Sequence, residues 1–286
     1  MWRVLAVLGC VLSLLAGEGQ PITVPVQFHH GRIILSGRIG EVESLKFLLD
    51  SACTIPTLHP EVMDQLKLTP SGRVRINGIA GEERAPTYRG VVFDLNGVEY
   101  APRRVASIPS ERREHRRRDG VLDAGFFRRY VIEVLPEEKS VRFHSATNFN
   151  YTGSGDIIPF RFHEEIPVIN AWVIPPNQEA LPAEFELDTG CDSGLCLGET
   201  FVRKHDLLTA IKGRASEKFG VGGSVETQNG RIPVVRLGKT DLKNVQTDFF
   251  LSGSPVDEPM AGHIGMAALA GHKVIFDYHR KRLIIE

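Results

Sequence analysis

Apolar and polar residues alternate with period two over much of this chain, which is the repeat of a half-buried strand. Ile22, Val24, Val26 and Phe28 fall on one face, and residues 32–39 continue the pattern beyond His29-His30-Gly31, predicting a hairpin. Residues 45–49 predict a strand that ends at Asp50. Residues 60–68 predict a short helix with Val62, Leu66 and Leu68 inward and Pro60 in its first turn. Two strands, 73–79 and 81–97, flank a glycine-bounded tip at 77–81, and Asn96-Gly97 is a hairpin turn. Strands at 131–135 and 140–143 turn over Pro136-Glu137-Glu138.

The second half repeats this order. Strands at 157–162 and 166–173 precede an apolar run into Asp188. A short helix follows at 199–207, then a glycine-rich tip at 219–224, a turn at Asn229-Gly230 and a closing hairpin at 274–278 and 282–285. The spacings agree. Asp50 to Leu122 is 72 residues and Asp188 to Ile264 is 76, while Leu122 to Val141 and Ile264 to Leu283 are both 19. An ordered series of this kind indicates a duplicated unit. The prediction is an all-β chain with short helices, a first lobe over 20–147 and a second over 156–286, joined by a polar linker.

Composition narrows the function only by exclusion. The 286 residues are 42% hydrophobic and 24% charged with a net charge of −1, so nothing global points to nucleic acid. The start of the chain reads as a secretory signal over residues 1–19: Arg3 is followed by an apolar run too short to span a bilayer comfortably, then small residues. The expected location is therefore outside the cytoplasm, periplasmic or secreted, with a membrane association only if that segment stays uncleaved. Cys10 would leave with it. Cys53, Cys191 and Cys196 would remain, an odd number that leaves at least one thiol unpaired. The five arginines within residues 111–118 read as a solvated loop, with anion attraction or proteolysis as the alternatives. His29 and His30 have no third ligand nearby, and no metal or cofactor is expected.

The candidate chemistry lies where the two halves match. Phe47-Leu48-Leu49-Asp50-Ser51-Ala52-Cys53 and Phe185-Glu186-Leu187-Asp188-Thr189-Gly190-Cys191 share one design: an apolar strand, Asp, a small hydroxyl residue, a small residue and Cys. The two Asp are 138 residues apart. Two carboxylates brought close cannot both ionise comfortably, so they share a proton. One can then take a proton from water while the other protonates a carbonyl oxygen.

Asp-Thr-Gly after an apolar strand, a glycine-bearing hairpin, and the later His263-Ile264-Gly265 together resemble the aspartic proteases. Each half is similar to a retropepsin-type lobe, and the whole to the two-lobed, pepsin-like bacterial aspartyl proteases, over about residues 22–286. That resemblance implies a bilobal fold with two pseudo-twofold-related β-barrel lobes. It implies an Asp50–Asp188 dyad, supported by Ser51, Ala52, Thr189 and Gly190, with the two hydroxyls cross-bracing the loops. The implied cover of the cleft is the first hairpin, with Gly78, Ile79, Ala80 and Gly81. Gly222 and Gly223 of the second tip, and Cys53 and Cys191 on the floor, would complete the cleft. The implied partner is a peptide or protein substrate, cleaved by a monomer.

Two departures bear on activity. The motif glycine of the first half is Ala52, and the later apolar-apolar-Gly reads Val121-Leu122-Asp123. A third carboxylate beneath the loops would repel the dyad and raise its pKa, whereas one pointing outward would have little effect. A catalytically impaired, peptide-binding protein on the same fold is therefore the rival expectation. Cys53 and Cys191 read either as small buried residues or as a redox pair.

Overall fold

A computed structural model describes residues 20–109, 118–257 and 259–286. The expected signal segment and most of the arginine-rich run lie outside the described residues. The period-two segments form strands. Ile22–His29 buries Val24 and Val26, and it serves two sheets: residues 22–25 pair with Phe143 to Ser140, and residues 26–29 with Leu35 to Arg32. His30 and Gly31 both take positive φ, the requirement of a two-residue turn whose twist suits a hairpin.

Both halves contribute to one antiparallel central sheet. Its order is Asp156–Pro159, Arg282–Ile285, Val274–Asp277, Tyr130–Leu135, Ser140–Ser145, Ile22–His29. The halves meet where Ile132 faces Phe276 and Val134 faces Val274. Phe127 of the first half packs on Phe276 and Tyr278 of the second, at centroid distances of 5.4 and 5.2 Å, so the core is continuous across the join.

Each half then lays one apolar strand parallel to a short one. Phe47–Leu49 within Val42–Leu49 pairs with Gly120–Leu122, and Phe185–Asp188 within Leu181–Asp188 pairs with Gly262–Gly265. A third short strand, Thr57–Leu58 or Leu195–Leu197, runs antiparallel on the other side. Strands buried on both faces need near-continuous apolar runs, which accounts for Phe47-Leu48-Leu49. Glu186 breaks that rule in the second half, as a buried carboxylate.

Several predicted elements change. Asn229-Gly230 is not a turn. It lies inside the long strand Gly223–Leu237, facing Asp248 and Thr247. The Asn229 amide donates to Asp248 Oδ1 at 2.8 Å, and the missing side chain of Gly230 admits Ile211, so tertiary packing overrides the local turn preference. The predicted helix over 199–207 divides into Glu199–Lys204 and Leu207–Ala210, broken where Asp206 adopts positive φ. The strand over 81–97 stops at Tyr88 and resumes as Phe93–Asp94. Ala124–Arg129 is a helix the pattern did not predict.

Glu133 joins the halves electrostatically. It is buried, and it receives His144 Nε2 at 2.8 Å, Arg142 Nη1 at 3.1 Å and, from the second half, Lys273 Nζ at 3.3 Å. The His144 hydrogen bond, with Arg142 and Lys273, outweighs burial and lowers its pKa from 4.5 to about 2. A depressed carboxylate stabilises the fold above its unfolded pKa and loses that contribution as pH falls through the folded value. Glu133→Gln should therefore cost about 1–2 kcal/mol at neutral pH, moderated because Arg142 and Lys273 are about a third exposed. In urea titrations, the difference from wild type should shrink between pH 4.5 and 2.

Candidate active site

The two parallel strand pairs end side by side, and each delivers one Asp. The Asp50 amide is fixed to Leu122 O at 3.0 Å. Ser51 and Thr189 then lock the loops reciprocally. Ser51 N donates to Thr189 Oγ1 at 3.0 Å and Thr189 N to Ser51 Oγ at 2.9 Å. Each hydroxyl donates onward across the join, Ser51 Oγ to Leu187 O at 2.6 Å and Thr189 Oγ1 to Leu49 O at 2.7 Å. Both side chains are buried, so four hydrogen bonds shielded from water hold the two carboxyls in register.

Asp50 and Asp188 stand close enough for each to shift the ionisation of the other. Their surroundings differ. Ala52 N donates to Asp50 Oδ1 at 2.9 Å. Gly190 N and Cys191 N both donate to Asp188 Oδ1, at 2.8 and 3.1 Å, and the His263 ring lies 3.0 Å from Asp188 Oδ2. Burial, followed by the charge of Asp188, raises the Asp50 pKa to about 7, against the Ala52 amide, Arg118 and His263. Burial would raise Asp188 too, but His263, the Gly190 amide and Asp50 bring it below the ordinary carboxylate value.

The departures from the motif prove compatible with this geometry. Ala52 supplies the same backbone donor as Gly190, and neither residue has positive φ. Gly190 is required for space, since a Cβ there would collide with the Asp50 carboxylate. Of the two placements open to Asp123, the structure shows the one turned away: it accepts the Tyr100 hydroxyl at 2.7 Å inside the first half. Burial raises its pKa, with the Tyr100 hydrogen bond opposing. The largest charge effects on Asp50 come from Asp188, Arg118 and His263. Gly265, the counterpart of Asp123, has no such room, because a Cβ would collide with Ser193 O.

Both glycine-bearing tips are the ends of hairpins. Gly72–Gly78 with Gly81–Tyr88, and Arg214–Gly220 with Gly223–Leu237, meet tip to tip. Ala80 N donates to Val221 O at 3.3 Å. A Cβ on Gly78 would collide with Val221, and one on Gly222 would stand 2.5 Å from Gly81 N. Ile79 reaches over to pack with Cys191, Cys196, Phe250 and Val225. Gly223, beside that contact, takes positive φ. A cavity of about 200 Å³ opens beneath the second tip, lined by Thr57, His59, Arg118 and Val121 among others.

The thiols divide. Cys191 Sγ lies 3.1 Å from Cys196 Sγ, both buried, while Cys53 Sγ donates to Ile55 O at 3.0 Å. Burial and the nearby Asp50 raise the Cys53 pKa, and Cys191 and burial raise that of Cys196, which makes both poor nucleophiles. Sequence reading missed His263 and Glu186 beside the dyad, Arg118 near Asp50, and the cluster at the root of the second hairpin. There Lys218 pairs with Asp192 and, at 2.7 Å, with Asp248. Among the described residues, no three His, Cys, Asp or Glu side chains converge as a metal site.

No protein-family model matches the chain, and no curated protein sequence matches it. Among solved structures, the aspartic proteinase from Irpex lacteus aligns over 93% of this chain and 97% of its own, with a TM-score of 0.60 and 12% identity. The likeness establishes the fold as two-lobed and pepsin-like.

The reciprocal brace carries a stability consequence. Ser51→Ala removes an acceptor and leaves Thr189 N buried without its partner, at a cost of about 1–3 kcal/mol. Thr189→Val does the same to Ser51 N. Because the two hydroxyls serve one network, the double variant should lose less than the sum. Urea midpoints of the three variants measure this.

Proposed function

We propose that this protein is an exported aspartic endopeptidase. The observation that carries the reading is the braced Asp50–Asp188 pair, with its unequal surroundings, beneath two closed hairpins. In this reading a peptide lies between the dyad and the hairpin tips. One carboxylate takes a proton from a bound water as its oxygen attacks the scissile carbonyl carbon. The other gives its proton to the carbonyl oxygen, forming a gem-diol. A proton then passes to the amide nitrogen, the C–N bond breaks and the amine leaves. The chain's own residues hold the acid, the base and the strand-like substrate, and no covalent intermediate forms.

Several features support activity over the rival binding role. Ala52 keeps the backbone donor of the motif, and Asp123 is spent on Tyr100. The likeness to a proteinase fold is consistent with peptide hydrolysis. Export follows from the reading of residues 1–19 as a signal, and a monomer suffices because one chain supplies both Asp.

The pH dependence has a definite sign. The pair must hold one proton. Below the lowered pKa of Asp188 it would hold two, and above about pH 7 Asp50 would lose the last one. Cleavage of a mixed peptide library should thus extend from the acid range to near neutrality and fall above about pH 7. Asp50→Asn and Asp188→Asn should each reduce kcat at least ~1000-fold, since each removes a proton-transfer group. Folded wild-type protein that cleaves nothing between pH 3 and 8, yet binds peptides, would establish the binding role instead.

A further inference from the structure

His263 stands in an apolar slot, the first position of its apolar-apolar-Gly segment. It is buried, with 8% of its surface exposed. Its Nδ1 is 3.0 Å from Asp188 Oδ2, and its Nε2 is 3.1 Å from Glu186 Oε2. The parallel register creates the contact by setting Glu186 opposite His263 and Asp188 opposite Gly265. A neutral imidazole carries one N–H, so it can donate to only one of these carboxylates. An imidazolium donates to both.

Groups of both signs lie farther from the ring. Cys196 faces His263 on the strand Leu195–Leu197, with Asp248 beside Lys218 beyond it. His163, on Arg161–His163, lies 3.9 Å from the far oxygen of Glu186. Asp50 stands across the dyad with Arg118 near it. The two carboxylates in contact outweigh burial, which alone would discharge the ring, and its pKa rises.

We propose that His263 is a positioning residue: clamped as an imidazolium between Glu186 and Asp188, it makes Asp188 the ionised base of the dyad and leaves the shared proton on Asp50. This inference rests on the endopeptidase reading. Three donors already satisfy Asp188 as an anion, namely Gly190 N, Cys191 N and His263 Nδ1. Asp50 has one backbone donor, Ala52 N. A dyad on a pseudo-twofold axis is thereby made unequal before substrate arrives. In the chemical step the water proton passes to Asp188 and the Asp50 proton to the carbonyl oxygen, with the His263 proton staying on the ring throughout.

The test combines a pH profile with a direct view of the ring. His263→Gln keeps a hydrogen-bond donor and removes the charge. Its effect is largest on Asp188, which the ring touches, and smaller on Asp50. The acid limb of kcat/KM should move up by at least about one unit, roughly a tenfold loss of activity below that limb relative to the plateau. The alkaline limb should move up less. A variant that loses kcat with both limbs unmoved would show that His263 only fills space. Nitrogen NMR of the wild-type ring at pH 7 supplies a readout independent of turnover and of the variant's folding. Two ring N–H signals are expected; a single one overturns the clamp. If the wild type cleaves no peptide, the endopeptidase reading fails, and the ring signals alone decide the clamp.

Discussion

The reciprocal brace between Ser51 and Thr189 is the constraint on which the site depends. Each half ends an apolar strand in a carboxylate, yet neither half holds it against the other without the partner's hydroxyl. Strand packing brings the loops near, and the four buried hydrogen bonds then fix their separation. A hydroxyl suits this task because it donates and accepts at once. It can therefore satisfy a carbonyl of the opposite strand and an amide of the opposite loop with one short side chain.

Upon this symmetric frame the chain places asymmetric charge. The second half adds Glu186 and His263 beneath its Asp, and the Lys218–Asp192–Asp248 cluster at the root of its hairpin. The first half has apolar Leu48 and Val121 where the second has Glu186 and His263. Duplication thus supplies geometry, and divergence supplies the electrical difference between two otherwise equivalent carboxyls. The same division explains Asp123. The first half tolerates a carboxylate where the second needs Gly265, because Tyr100 offers a hydroxyl partner away from the dyad.

Much of this was legible in the sequence. Period-two strands, the two Asp motifs and their matching spacings are local or repeated signals, so they could be read without knowing the contacts. His263 could not be read so. Its partner Glu186 is 77 residues away, and only the parallel register joins them. The available hint was polar residues interrupting two apolar runs. Lys218, Asp192 and Asp248 come from separate segments and carry no shared pattern. Asn229-Gly230 misled because a strong local turn signal was overruled by pairing with a fifteen-residue strand's neighbour. Both glycine-rich tips are visible in the sequence, but their meeting is not, because Ala80 and Val221 touch from segments far apart in the chain.

The order of strands in the central sheet has a consequence for the making of the protein. Val274–Asp277 binds directly to Tyr130–Leu135, and Arg282–Ile285 pairs with Asp156–Pro159. The sheet that sets one half against the other is therefore completed only once residues 274–285 are in place. Contacts so distant in sequence form slowly. Until they do, the two carboxyls belong to halves with no fixed relation. A nascent or truncated chain without these two strands would carry both Asp motifs and yet lack the dyad, so assembly of the site waits on a hairpin far from either Asp in sequence.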